Sequence, residues 1–172
     1  MHAPPWGHHP LVTDARRFTL ATASAAADSG DEEVARWVGD FLASRGSDNA
    51  VLAAALAQEP HWWFGPVQVP LPDLERLAGP EDDALCDIDP EEWHEDVDAM
   101  HGSIDDGWEP PPLLAEWQDD RLVLQDGNHR HEALARAGET HAWTLVYFPS
   151  LDARDRFAAR SLEELRLNGM RP

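Results

Sequence analysis

The chain has 172 residues, 42% of them apolar, with 33 Asp and Glu against 13 basic residues and a formal net charge of −20. Every basic residue is an arginine. The apolar fraction excludes disorder of the whole chain, the charge opposes binding to duplex nucleic acid, which draws its affinity from Lys and Arg at phosphates, and the missing lysine excludes a P-loop and lysine Schiff-base chemistry.

Residues 1–12, which begin "MHAPPWGHHP", read as a flexible arm. The arm has neither the charged start nor the apolar stretch of a secretory signal, and its histidines read as solvated tail rather than metal ligands. Residues 13–64 read as an all-helical extension packed on the core. Thr13 or Asp14 caps a helix to about Ala27. A second helix spans about Asp31–Ser44, with Val34, Trp37, Val38, Phe41 and Leu42 on one face. Ser47 or Asp48 caps a third, to about Gln58. The aromatics of His61-Trp62-Trp63-Phe64 read as packing between layers, with base stacking as the lesser reading.

From Gly65 the pattern becomes strand-like. "PVQVPL" alternates Val67, Val69 and Leu71, and "PDLERLAGP" reads as a short helical turn closed by Gly79-Pro80. Residues 81–89 form an acidic loop that carries Cys86. As the single cysteine, Cys86 excludes an internal disulfide, and a cytoplasmic location is expected. Asp89-Pro90-Glu91-Glu92 starts a helix with Trp93, Val97, Met100 and Ile104 as its buried stripe. "PPPLLAEW" and "RLVLQ" are strands joined by a turn at Asp119-Asp120. A helix over 129–137 ends at Gly138, "HAWTLVYF" is the last strand, and Ser150 caps a final helix over about 152–166. No apolar run approaches the ~18 residues of a membrane span. The domain is thus β-α-β-β-α-β over 65–150, followed by a C-terminal helix and tail at 151–172.

The segment "LQDGNHRHEALARAG", residues 124–138, places strand, glycine and helix in succession. The first N–H groups of a helix lack intrahelical partners and sit at the positive end of its dipole. A glycine before them lets an anion, most often a phosphate, approach. Gly127 stands at the turn, Asn128 reads as the N-cap, and His129, Arg130 and His131 lie in the first turn. The dipole disfavours a cation there, so Arg130 needs an explanation. One is a phosphate held in a bidentate grip. The other is that Gly127-Asn128 is only a turn and Arg130 pairs with nearby carboxylates. The residue pattern divides the two evenly.

"DGNHRHEALARAG" resembles the signature of the ParB/sulfiredoxin-like superfamily, in which a Gly-Glu-Arg-Arg or Gly-Cys-His-Arg box precedes an alanine-rich helix. "SIDDGWEPPPLLAEW" and "VQVPLPDLERL" resemble the family's upstream segments, and the likeness spans roughly residues 65–148. It implies an α/β (α+β) fold with a mixed sheet. It also implies a site for a nucleotide (ATP/ADP or CTP, with Mg) or a phosphorylated small molecule, contacted by Gly127, Asn128, His129, Arg130 and His131. Asn128 stands where sulfiredoxins carry their catalytic cysteine, so sulfinic acid reduction is not expected.

Between Asp73 and Asp106 lie 14 acidic residues and one arginine. The stretch reads as a solvated face more readily than as metal ligands. Asp73, Glu75 and Asp126 are the candidates for a general base in phosphoryl transfer or nucleotide hydrolysis. His94 with Glu91, Glu95 and Asp98 shares a helix face that reads as surface rather than a metal site, and Trp108 lines the cleft or covers the core. The alternative to an enzyme is a non-catalytic, ligand-gated interaction module whose acidic face meets a basic protein partner.

Overall fold

The computed structural model describes residues 17–80 and 86–167. The arm at 1–12 and the capping candidates Thr13 and Asp14 lie outside them, as do residues 81–85 of the acidic loop. Among the described residues the first elements are three helices: α1 (Leu20–Ser29), α2 (Asp31–Leu42) and α3 (Ala50–Leu56). Then follow β1 (Trp62–Pro70), a 3-10 turn (Leu71–Asp73), β2 (Leu74–Arg76), β3 (Ala78–Gly79) and β4 (Cys86–Asp87). The remainder is α4 (Pro90–Asp105), β5 (Leu113–Gln118), β6 (Arg121–Asp126), α5 (Asn128–Arg136), β7 (His141–Phe148) and α6 (Leu151–Leu167).

Several helix signals operate as their chemistry requires. Asp89 accepts hydrogen bonds from the Glu91 and Glu92 amides, with Pro90 at the first helical position of α4. Asp31, Glu32 and Glu33 occupy the first turn of α2, and Val34, Val38, Phe41 and Leu42 are its buried face. Other boundaries differ from the sequence reading. Thr19 caps α1 through a reciprocal pair with Thr22. Asn49, not Ser47 or Asp48, caps α3 by accepting from the Leu52 amide. The aromatic junction is itself strand: β1 begins at Trp62 and pairs through Phe64, then shifts register before Val67. Gly65 makes that irregularity possible. Its φ is +104°, and a Cβ there would lie 2.6 Å from the Thr144 carbonyl oxygen. "LERLAG" is not helical but supplies β2 and β3, the first of them an edge strand.

The main sheet has five strands in the order β1-β7-β5-β6-β2. β1/β7 and β5/β6 are antiparallel, while β5/β7 and β2/β6 are parallel. β7 is covered on both faces, so its residues are buried almost continuously from Ala142 to Phe148. On one face Trp63, Leu114, Leu145 and Tyr147 pack against Phe18 and the apolar sides of α1 and α2. On the other, Val69, Leu113, Leu124, Val146 and Phe148 pack with Ala153 and Phe157 of α6. Trp93 and Val97 of α4 meet Ala133 of α5 in a smaller cluster. Among the described residues no helix is long and apolar enough to cross a membrane.

Candidate functional site

The β6–α5 turn is built around Gly127. It is the N-cap of α5 in the left-handed region, at φ +99°, and makes no side-chain cap bond. A Cβ at this position would lie 2.7 Å from Leu113 Cδ2 and 3.0 Å from Arg130 Nη2. Glycine is therefore demanded both by the dihedral and by the close approach of two neighbouring side chains.

Asn128 is not the N-cap expected from the sequence. It is the first residue of α5, and its Oδ1 accepts hydrogen bonds from the Leu77 and Ala78 amides at 3.2 and 3.3 Å. The side chain thus ties the helix start to the link between β2 and β3.

Arg130 is buried, with 5% of its surface exposed, whereas an exposed phosphate ligand was one of the two sequence readings. Its Nη2 pairs with Asp126 Oδ2 at 2.5 Å, and its Nη1 donates to the carbonyls of Pro111 (2.7 Å) and Pro112 (3.0 Å). The guanidinium also lies over the Phe41 ring, 5.1 Å from its centroid. Burial pulls the Arg130 pKa down and the Asp126 charge opposes it. Asp126 is equally enclosed, at 7% exposure. Besides Arg130 it accepts from Ser47 Oγ at 2.8 Å and Asn49 Nδ2 at 3.3 Å. One buried ion pair therefore joins α5, the proline segment before β5 and the α2–α3 loop. Ser47 and Asn49 both escaped the sequence reading as partners of Asp126: Ser47 registered there only as a capping candidate, and Asn49 not at all.

The two histidines flanking Arg130 point to different neighbours. His131 Nε2 donates to the Leu71 carbonyl at 2.9 Å, and its buried Nδ1 has no hydrogen-bond partner among the described residues. The His129 ring lies against Trp93, with centroids 4.3 Å apart. Its Nε2 is buried and unpartnered among the described residues, 4.0 Å from Asp96 Oδ2. Burial lowers both pKa values below the ordinary imidazole range. Asp96 and Glu92 act against this at His129, and the Leu71 carbonyl at His131.

A cavity of about 200 Å³ lies at this turn, lined by Gln125 through Arg130, by Ser47 and Asn49, and by the apolar Ile88 and Met100. Asp73 and Glu75 are not part of it. They line a separate, larger cavity of about 1090 Å³ at the sheet. Glu75 is paired there with Arg121 at 2.8 Å. The structure therefore does not bring the three carboxylate candidates together.

The remaining candidates have local explanations. Trp63 is buried against Tyr147, and Phe64 packs on Phe157 across the sheet, so the aromatic junction serves two cores. Asp98 pairs with Arg136 at 2.7 Å. Among the described residues no three His, Cys, Asp or Glu side chains are grouped as a metal site. Trp108 lines neither cavity.

No family model matches the chain, and no curated protein matches it. Among solved structures it is similar to the C-terminally truncated chromosome-partitioning protein ParB from Caulobacter crescentus, complexed with CTP-gamma-S. That match is 21% identical, with a TM-score of 0.36, and covers 62% of this chain and 53% of that one. A Pnob8-like ParB-N domain is 19% identical, with a TM-score of 0.31, over 64% and 38% of the two chains. The chain spans about half the length of the first of these.

Proposed function

We propose that the start of α5 binds a phosphate of a nucleotide or of a phosphorylated small molecule, and that the chain works there by binding rather than by turnover. The observation that carries this reading is the first turn of α5: no side chain caps its amides, and it opens on a cavity with polar walls. At about 200 Å³ the cavity is smaller than the roughly 300–1,000 Å³ of pockets that enclose drug-sized ligands. It suits a phosphate, with the rest of the ligand outside. The unpartnered Nε2 of His129 is the side-chain donor best placed for it. Arg130 acts from behind, holding the turn in shape. The signature's resemblance to a nucleotide-binding superfamily supports the same reading.

Two placements favour binding over catalysis. Asp126 is committed to Arg130, Ser47 and Asn49, and Asp73 and Glu75 line the other cavity. The test is calorimetric titration and melting of the full chain with ATP, ADP and CTP, with and without Mg²⁺. A ligand at ~100 times its dissociation constant adds about 2.7 kcal/mol of stability. His129→Ala weakens its binding about tenfold, the loss of one hydrogen bond to a charged group. If no nucleotide binds, the phosphate reading fails. Steady release of phosphate from ATP or CTP overturns the choice of binding over turnover.

A further inference from the structure

The larger cavity is a groove that shares no lining residue with the α5 turn. Its walls combine aromatic and acidic groups. Trp117, Trp143 and Phe157 line it, and Trp143 is 41% exposed, one of three large apolar side chains so open among the described residues. Of its carboxylates, Glu75 is held by Arg121, while Asp73 and Asp120 pair with no cation among the described residues. Arg160 and His141 complete the charged lining.

From this juxtaposition we infer that the groove docks a basic, apolar-flanked segment of a partner protein, with an arginine or lysine of that segment over Trp143 and between Asp73 and Asp120. Three features carry the choice of occupant. The groove's volume, about 1090 Å³, lies at the top of the usual range of small-molecule pockets, roughly 300–1,000 Å³, and leaves room for a short stretch of chain. Its charge favours a cation locally: Glu75 offsets Arg121, and although Arg160 also lines the groove, a cation on an indole face beside Asp73 and Asp120 gains from both the ring and the carboxylates. The mode of recognition is also constrained. The β1 side of the groove carries Pro66 and Pro70, which have no N–H to offer an added strand. Recognition therefore falls to side chains, not to extension of the sheet.

The experiment uses the full chain and a fluorescein-labelled peptide of alternating arginine and leucine, followed by anisotropy at physiological salt. Trp143→Ala, and separately Asp73→Asn with Asp120→Asn, each weaken binding about tenfold, the worth of one partly desolvated cation–π or charge contact. Glu91→Gln with Glu95→Gln removes the same two charges from α4, outside the groove, and changes affinity less than twofold. Melting curves confirm that each variant is folded. The inference is overturned if the α4 pair weakens binding as much as the groove pair, because attraction is then general to the acidic surface. It is also overturned if Trp143→Ala binds as wild type does, or if an alternating glutamate–leucine peptide binds equally well. Nucleotide binding at α5 is measured separately, so the two sites stand or fall independently.

Discussion

Replacing Arg130 by alanine tests the central structural finding, that this cation sits at the helix start to hold the fold. The guanidinium has 5% exposure and three strong acceptors, Asp126 Oδ2 at 2.5 Å and the Pro111 and Pro112 carbonyls at 2.7 and 3.0 Å. Its removal leaves the Asp126 carboxylate buried, with only Ser47 and Asn49 as donors, and strips both proline carbonyls of a partner. Breaking a buried pair from one side costs about 3–5 kcal/mol, a large share of the 5–15 kcal/mol typical of a folded domain. For a chain of this size that is a fall in Tm of roughly 6–20 °C. Urea titration of wild type and Arg130→Ala measures it. Arg130→Met with Asp126→Leu is the companion, since removing both charges spares the fold an unpaired carboxylate. The double variant is therefore more stable than Arg130→Ala alone. A loss below about 1 kcal/mol, the scale of an exposed ion pair, would refute the reasoning and return Arg130 to the role of a free phosphate ligand.

Two further outcomes follow from the same turn. Gly127→Ala places a Cβ 2.7 Å from Leu113 and forces an L residue to φ +99°, so it destabilises by about 1–3 kcal/mol; a melting curve within 0.5 °C of wild type contradicts this. His129 and His131 have pKa values lowered by burial, so the unfolded chain binds their protons more readily. Their cost is absent above about pH 7 and grows as pH falls through the ordinary imidazole value, about 6.5. His129→Gln with His131→Gln should therefore lose less stability than wild type between pH 7.5 and 5.5, measured by urea midpoints; equal losses would show that other groups dominate.

What the sequence determined by itself is local. The face of α2, the Asp89-Pro90 start of α4, strands β5, β6 and β7 and the strand–Gly127–helix succession were legible because each depends on neighbours within about one or two turns of chain. β2 was not legible: three residues of edge strand gain their identity from pairing with Leu122, Val123 and Leu124 of β6. The start of β1 was hidden because Trp62, Trp63 and Phe64 read as a junction until β7 supplies their partners at Phe148, Tyr147 and Val146. The site divided in the same way. Gly127 was marked by composition and spacing, since only glycine suits that turn. Whether Arg130 turns outward to a ligand or inward to Asp126 was not, and the residue pattern left both readings open. Tertiary structure turns it inward, because α2 and the loop that follows it, far away in sequence, bring Phe41 onto the guanidinium and Ser47 and Asn49 onto the same carboxylate. A buried charge is stable only where such distant partners converge, and no local pattern records that convergence.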